Sequence, residues 1–119
     1  ESVANTPQPS QEPDYIVSVS EIMDEFESNG IAASQKYEDK LIQVNGVVGS
    51  IDEDIMGTPY VVVHDPSDQL QFDGVQCMFD RKNTNQLTSL LKGDRVAVEG
   101  YVADEVLINI LVRNCQVVE

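Results

Sequence analysis

The sequence predicts an all-β fold, a small β-barrel with accessory helices, on three observations. Residues 40–48 and 92–102 both place branched apolar side chains at every second position, as a strand with one buried face requires. Each segment carries a glycine in phase with that face, Gly46 and Gly100, where a small barrel bends or lets another backbone approach. Three further apolar runs are separated by turn-forming residues.

Composition limits the number of domains and the class of partner. The chain has 119 residues, of which 41% are hydrophobic, so one domain with one core is expected. It contains 21 acidic and 7 basic residues, for a formal net charge of −14. This charge repels polyanions and anionic membrane surfaces, so nucleic acid is a disfavoured partner. No apolar run approaches the roughly 20 residues that span a bilayer.

The first 14 residues differ in composition from the remainder. Three prolines stand among polar side chains in residues 1–14, which predicts a disordered linker. Such a leader is common in exported proteins that are tethered through a processed or lipidated N-terminus, and a mobile tail explains it equally well. The single domain is predicted to span residues 15–119.

A helix is predicted at the start of this domain, over about residues 18–29. Ser18 and Glu21 have the spacing of a capping box. Apolar residues then recur at helical spacing until Asn29 and Gly30, and the opposite acidic face is expected to be solvated. A second short helical segment is predicted over residues 31–37.

Five strands are predicted after these helices, at about residues 40–51, 60–64, 74–79, 92–102 and 106–118. A short helix is expected between the third and the fourth strand, because Leu87, Leu90 and Leu91 would share one face. Asn83 or Asn85 would cap it. The turn between the last two strands is placed at residues 103–105, and a bulge is expected near residues 113–114, where the apolar phase changes.

Three strands, a helix and two strands form the element order of an OB-fold, a five-stranded Greek-key barrel. The near repeat agrees with this architecture, because its two copies would be the first and fourth strands, which lie side by side. The alternatives are a five-stranded barrel of another topology and an open sheet packed by helices. The prediction is therefore an OB-fold with an N-terminal helical extension.

Four segments carry a recognisable series of lysine, glycine, cysteine and alternating apolar residues: residues 36–48, residues 75–79, residues 91–100 and residues 114–115. In this order and spacing the chain resembles the tRNA_anti-like family, from about Tyr15 to the C-terminus. The resemblance implies a small bacterial OB-fold protein, of a kind that is often exported or lipid-anchored. It implies no catalytic residue.

The two cysteines suggest a covalent link. Cys77 lies in the third predicted strand and Cys115 near the end of the fifth, and these strands are neighbours in an OB barrel. A disulfide between them is predicted, which would contribute on the order of 4 kcal/mol. It would imply an oxidising compartment, such as the periplasm or the cell surface. The alternative is a pair of reduced, buried thiols.

The sequence offers little support for an enzyme or a metal site. His64 is the only histidine and is expected to end a strand near the surface. The spacing of Asp52, Asp54 and Gly57 is similar to that of a calcium loop but lacks the later ligands, so an EF-hand is excluded and a weak divalent-cation site stays open. No nucleophile–base constellation or phosphate loop is present, and neither an enzyme nor a cofactor is predicted.

Oligonucleotide binding is one functional hypothesis, because OB-folds use the face of their second and third strands for it. Such binding needs aromatic platforms and a positive groove. The candidate platforms are Tyr60 and Phe79, and the nearby basic residues are only Arg81 and Lys82. This composition disfavours the hypothesis.

The preferred hypothesis is a non-catalytic binding or interaction module of the bacterial cell envelope. Its candidate site is an acidic rim on two loops of the barrel, formed by Asp52, Glu53, Asp54, Asp104 and Glu105. The partner would be a protein, a glycan or a cationic ligand. The alternative is a scaffold whose acidity only keeps it soluble. The oligomeric state is left open.

Overall fold

The computed structural model describes residues 12–67, 74–106 and 109–118. The elements in chain order are β1 (Tyr15–Ser18), α1 (Val19–Ser28), α2 (Gly30–Tyr37), β2 (Leu41–Glu53), β3 (Pro59–His64), β4 (Gly74–Met78), a 3₁₀ helix (Arg81–Gln86), β5 (Arg95–Val106) and β6 (Asn109–Val117). None of the described helices is long and apolar enough to cross a membrane.

Strands β2 to β6 close into one barrel. β2 pairs antiparallel with β3 along its second half and with β5 along its first half. β4 joins β3 antiparallel and β6 in parallel, and β6 pairs with β5 to complete the circuit. The predicted OB-fold is confirmed, including the contact between the third and fifth strands of the barrel.

The near repeat forms the side-by-side pair that was predicted. Gly46 lies opposite Val96, and Gly100 lies opposite Ile42, in the β2–β5 register. A Cβ atom added at Gly46 would lie 2.5 Å from the carbonyl oxygen of His64. Both glycines therefore permit a backbone approach that a side chain would block.

The barrel interior is filled by the alternating branched residues of all five strands. Its completely buried members include Ile42, Val44, Val48, Val61, Val63, Val75, Cys77 and Ile110. The helices add Ile22, Phe26 and Tyr37 to the same cluster. The barrel and its helical extension thus share one hydrophobic core.

The start of α1 agrees with the sequence pattern. The hydroxyl of Ser18 accepts a hydrogen bond from the Glu21 amide at 3.1 Å, and Glu21 Oε1 accepts one from the Ser18 amide at 2.8 Å. Tyr15–Ser18 forms strand β1, which the sequence did not predict, and this strand pairs in parallel with β2. Four residues are too few to show a strand period. The predicted linker lies outside the described residues as far as residue 11, and its last residue, Asp14, is already anchored to Leu41 by two hydrogen bonds.

The acidic face of α1 was expected to be solvated, but one of its carboxylates, that of Glu25, is bonded to α2. Glu25 accepts a hydrogen bond from Lys36 of α2 at 2.8 Å and another from the hydroxyl of Tyr37. Burial raises the pKa of Glu25, but these two hydrogen bonds outweigh it and the pKa lies below its usual value. Burial and the hydrogen bond to Glu25 raise the pKa of Tyr37 to about 12. The two helices are therefore joined by a polar contact as well as by the core.

Two predicted details in the second half of the chain are wrong. The helix between β4 and β5 is a 3₁₀ helix over Arg81–Gln86, capped by Asp80 instead of an asparagine. Asn83, Thr84 and Asn85 make up half of this segment and favour short turns over an α-helix. Leu91, expected on its buried face, is exposed. The turn expected at residues 103–105 belongs to β5, whose pairing with β6 continues to Val106.

The bulge predicted near residues 113–114 is confirmed. Glu99 pairs with Gln116, whereas Tyr101 pairs with Arg113, so β6 has one extra residue at this point. Asn114 has a φ of 55°, in the left-handed region that asparagine tolerates. The extra residue accounts for the change of apolar phase between Val112 and Cys115.

We expect replacement of Gly46 by alanine to destabilise the protein by about 2 kcal/mol, because the new Cβ would overlap the neighbouring backbone. Urea unfolding would measure the change. The exposed Ser50 of the same strand provides the control, and Ser50→Ala should alter the free energy of unfolding by less than about 0.5 kcal/mol. Equal effects of the two substitutions would contradict the close approach.

Candidate binding face on strands β3 and β4

The outer surface of β3 and β4 is a mostly apolar face. Along β3, Tyr60 and Val62 are half-buried and alternate with fully buried valines, and Gln76 and Met78 have the same pattern on β4. Tyr60 pairs with Met78, and Val62 pairs with Gln76, so the four side chains lie on one side of the sheet. We call these four residues the binding face.

Neighbouring strands extend the binding face on both sides. On β2, the exposed Ser50 and Asp52 lie in register with Val62 and Tyr60. On β6, the half-buried Leu111 lies beside Gln76. Asp52 is therefore the cross-strand neighbour of Tyr60 at the edge of an apolar surface.

The β2–β3 loop at this edge, residues 54–58, is ordered by one side chain. Asp54 Oδ1 accepts hydrogen bonds from the amides of Met56 and Thr58 at 2.8 and 2.9 Å. The backbone of Asp54 bonds to Gly57 and Thr58 as well, and the guanidinium of Arg81 donates to the Met56 carbonyl. Gly57 takes a φ of +81°, which favours glycine. The carboxylate of Asp54 thus maintains the shape of the loop.

The other two acidic residues at the end of β2 face solvent. Asp52 and Glu53 are both exposed, and the Glu53 amide donates a hydrogen bond to Asp52 Oδ1 at 2.8 Å. Their carboxylates are accessible negative charges at this end of the binding face. Asp54, which was predicted with them, has a structural role.

Asp104 and Glu105, the other half of the predicted rim, lie in the last part of β5. Their backbones pair with Leu111 and Ile110, and their side chains lie outside the described part of the chain. Ile110 adjoins Val75 near the start of β4, whereas Asp52 is in register with the pair at the end of β4. The two acidic segments thus reach the binding face from different sides, and a single continuous rim stays a prediction.

The predicted aromatic platforms have different positions. Tyr60 belongs to the binding face, but Phe79 is part of the hydrophobic core and is unavailable for stacking. The sequence analysis missed Val62, Met78 and Leu111. Strand β3 is apolar at five of its six positions, so its pattern did not show which side chains face outward.

The disulfide predicted between Cys77 and Cys115 is not present. Both residues are buried free thiols, and Cys115 donates to the carbonyl of Val112 at 3.4 Å. Burial, followed by a hydrogen bond and charge repulsion from Cys77, raises the pKa of the Cys115 thiol well above its usual value. The topology brought the two residues together as expected, and they serve as small apolar groups of the core.

His64 is buried, with only 6% of its surface exposed, which corrects the expectation of a surface position. Its imidazole fills the space beside two glycines. A Cβ atom at Gly49 would lie 2.0 Å from His64 Cδ2, and one at Gly74 would lie 3.0 Å from Nδ1. Within the described residues, no group of three histidine, cysteine or acidic side chains could hold a metal ion.

A concave region of about 360 Å³ lies between α1 and α2, away from the binding face. Its walls are mainly apolar, and two of its three charged lining residues, Glu25 and Lys36, bond to each other, whereas the third is the exposed Asp24. The ammonium of Lys36 also lies 5.1 Å from the ring centres of Tyr15 and Tyr37. These contacts fasten the helices to β1.

Comparison with known proteins identifies the family. A family model described as tRNA_anti-like matches residues 2–116. The chain belongs to the tRNA_anti-like family. This result agrees with the barrel described above and with the resemblance in the sequence. No curated protein matches the sequence of this tRNA_anti-like chain.

Solved structures with the same fold include a protein of Klebsiella pneumoniae subsp. pneumoniae MGH 78578, described as a "putative nucleic acid-binding lipoprotein". It is 22% identical, with a TM-score of 0.72 over 87% of this chain and 91% of that one. The yeast Stn1 and Ten1 structure is 14% identical, with a TM-score of 0.50 over 97% of this chain and 68% of that one. At these identities the likeness shows the fold.

One carboxylate outside the binding face is buried. Glu99 of β5 is only 3% exposed and lies in register between Gln43 of β2 and Gln116 of β6. Burial disfavours the charged form and raises the pKa of Glu99. Ionisation of Glu99 therefore costs free energy in the folded protein that it does not cost in the unfolded chain.

We expect Glu99→Gln to stabilise the protein by on the order of 1 kcal/mol at neutral pH. Because the pKa of Glu99 is raised on folding, its destabilising contribution is absent below the unfolded pKa and grows as the pH rises to the folded pKa. The gain should therefore disappear in acid. Urea unfolding of both proteins across the acidic pH range would measure it, and a gain independent of pH would contradict this account.

We expect the two thiols to resist alkylation in the native protein, because both are buried and the pKa of Cys115 is raised. Iodoacetamide added after unfolding without reductant should label both cysteines, as measured by intact mass. A Cys115→Ala variant should take one label and serves as the control. An unfolded, unreduced protein that takes none would show that the cysteines are oxidised.

Proposed function

We propose that this tRNA_anti-like protein is a non-catalytic binding module that holds a positively charged ligand across the binding face. One observation carries the proposal: the half-buried Tyr60 lies in register with the exposed Asp52, at the edge of an apolar surface. A cation can contact the carboxylate and the face of the ring together. The exposed Glu53 adds a second negative charge beside it.

The overall charge supports the same class of ligand. At −14, the chain attracts cations from a distance and slows the approach of polyanions. The accessible charges at the end of β2 are both negative, whereas the nearby Arg81 is engaged with the loop backbone. The acidic residues of β5, Asp104 and Glu105, would add to the attraction from the other side of the face.

An extracytoplasmic, lipid-anchored location is part of the proposal. The Klebsiella protein of the same fold is described as a lipoprotein, and the proline-rich residues 1–14 are suited to a tether. A disulfide would have supported an oxidising compartment, and the free thiols remove that support. A binding role, as opposed to an enzymatic one, agrees with the description of the Klebsiella protein.

Binding of single-stranded nucleic acid is the second candidate. It is favoured by the description of the Klebsiella protein and by the use of the equivalent OB-fold face for oligonucleotides. The exposed Arg113 on β6 and the half-buried Tyr60 would be its contacts. The acidic edge of the binding face opposes a phosphate backbone, so we rank this candidate second.

The proposal predicts that fluorescently labelled oligolysine binds this protein more tightly than labelled oligothymidylate does at moderate salt. Fluorescence anisotropy would measure both affinities. Exchanging Asp52 and Glu53 for Asn and Gln should weaken oligolysine binding roughly fivefold, since exposed ion pairs contribute a fraction of a kcal/mol each. Added salt should weaken the binding further.

A matched control separates a local site from general charge attraction. Asp24→Asn with Glu27→Gln makes the same change of charge on exposed positions of α1. This variant should bind oligolysine almost as the parent does. Tighter binding of oligothymidylate would support the nucleic-acid candidate, and equal losses in the two variants would remove the binding face from the proposal.

A further inference from the structure

The tip of the β2–β3 loop presents two apolar side chains to solvent. Ile55 is fully exposed and Met56 is 70% exposed, and they are consecutive in the chain. We call these two residues the loop tip. We infer that the loop tip is an anchor for a protein partner. This inference rests on the proposed function, because it specifies that the positively charged ligand of the binding face is a protein.

The loop tip is held in place before any partner binds. Hydrogen bonds to Asp54, the left-handed Gly57 and the contact from Arg81 fix the backbone on both sides of Met56. Because the backbone is already ordered, little backbone entropy is lost when these side chains enter a pocket, so more of their burial energy appears as affinity. The geometry is that of a small anchor within a larger interface.

The loop tip is continuous with the binding face. Glu53, two residues before Ile55, pairs with Pro59 at the start of β3, and the next pair is Asp52 with Tyr60. A partner that lies along the face and reaches the end of β2 therefore meets carboxylates first and the apolar tip next. Its complementary surface would contain an apolar socket bordered by lysine or arginine side chains.

This arrangement disfavours other occupants. An anionic membrane would be repelled by Asp52 and Glu53 at the base of the loop, and a second copy of the chain also carries a charge of −14. Nucleic-acid bases stack on aromatic rings, whereas the loop tip is aliphatic. A protein segment with alternating apolar and basic residues satisfies both parts of the surface.

A labelled peptide of alternating leucine and lysine tests this inference against an oligolysine peptide of equal charge. We expect the parent protein to bind the leucine–lysine peptide about tenfold more tightly, since burying one aliphatic side chain contributes more than 1 kcal/mol. Ile55→Ser with Met56→Ser should abolish this preference. Oligolysine binding should stay as in the parent, because no charge has changed.

The control removes two other exposed apolar side chains, through Ile31→Ser and Leu91→Ser. These residues are 75% and 68% exposed and lie on α2 and before β5. This variant should retain the tenfold preference. All three proteins should unfold at similar temperatures, because none of the four side chains is buried.

The inference is overturned if the loop-tip variant keeps the preference for leucine, or if the control loses it equally. Sedimentation with phosphatidylcholine vesicles that depends on Ile55 and Met56 would also overturn it, by showing a lipid as the occupant. The proposed function fails separately: absent oligolysine binding removes the charged site, whereas oligolysine binding without a leucine preference removes only the anchor.

Discussion

Closure of the barrel depends on the close passage of backbone over Gly46 and Gly100. Strand β2 has to pair with β5 along its first half and with β3 along its second, so it must bend between the two. The bend comes between Gly46 and Ser50, where the β2–β3 register shifts after Val48 and where the carbonyl of His64 approaches Gly46. Without this bend the neighbours on the two edges of β2 would lie in one flat sheet, and the sheet would stay open.

The binding face is a consequence of that closure. Because the interior is filled from one side of each strand, every second side chain of β3 and β4 must face outward. At those positions the sequence has Tyr60, Val62 and Met78, which are only half-buried by their neighbours. Closure also places the β2–β3 loop at one end of this face and the end of β5 near the other. The same constraint therefore creates the surface and the positions of its charged borders.

Features that depend on local patterns could be predicted from the sequence. The capping box at Ser18, the alternation in β2 and β5 and the phase change at Asn114 each lie within a few residues of chain. Features that depend on distant pairing could not: β1 is a strand because β2 lies beside it, and β5 continues to Val106 because β6 does. The site shows the same division. The proximity of Cys77 and Cys115 followed from topology, but their oxidation state did not. The outward-facing side chains of β3 could not be identified, because apolar residues occupy both sides of that strand.

The three consecutive carboxylates at the end of β2 show that charge alone would not give a ligand much affinity for this site. In the sequence Asp52, Glu53 and Asp54 look equivalent. In the structure, however, the carboxylate of Asp54 accepts hydrogen bonds from two amides of its own loop and orders that backbone. In the proposed site, two exposed carboxylates would supply selectivity for cations and faster association, with little net affinity. Affinity has to come from apolar area. The structure offers that area twice at this position, on the binding face and at Ile55 and Met56, where the hydrogen bonds to Asp54 hold the loop backbone in place.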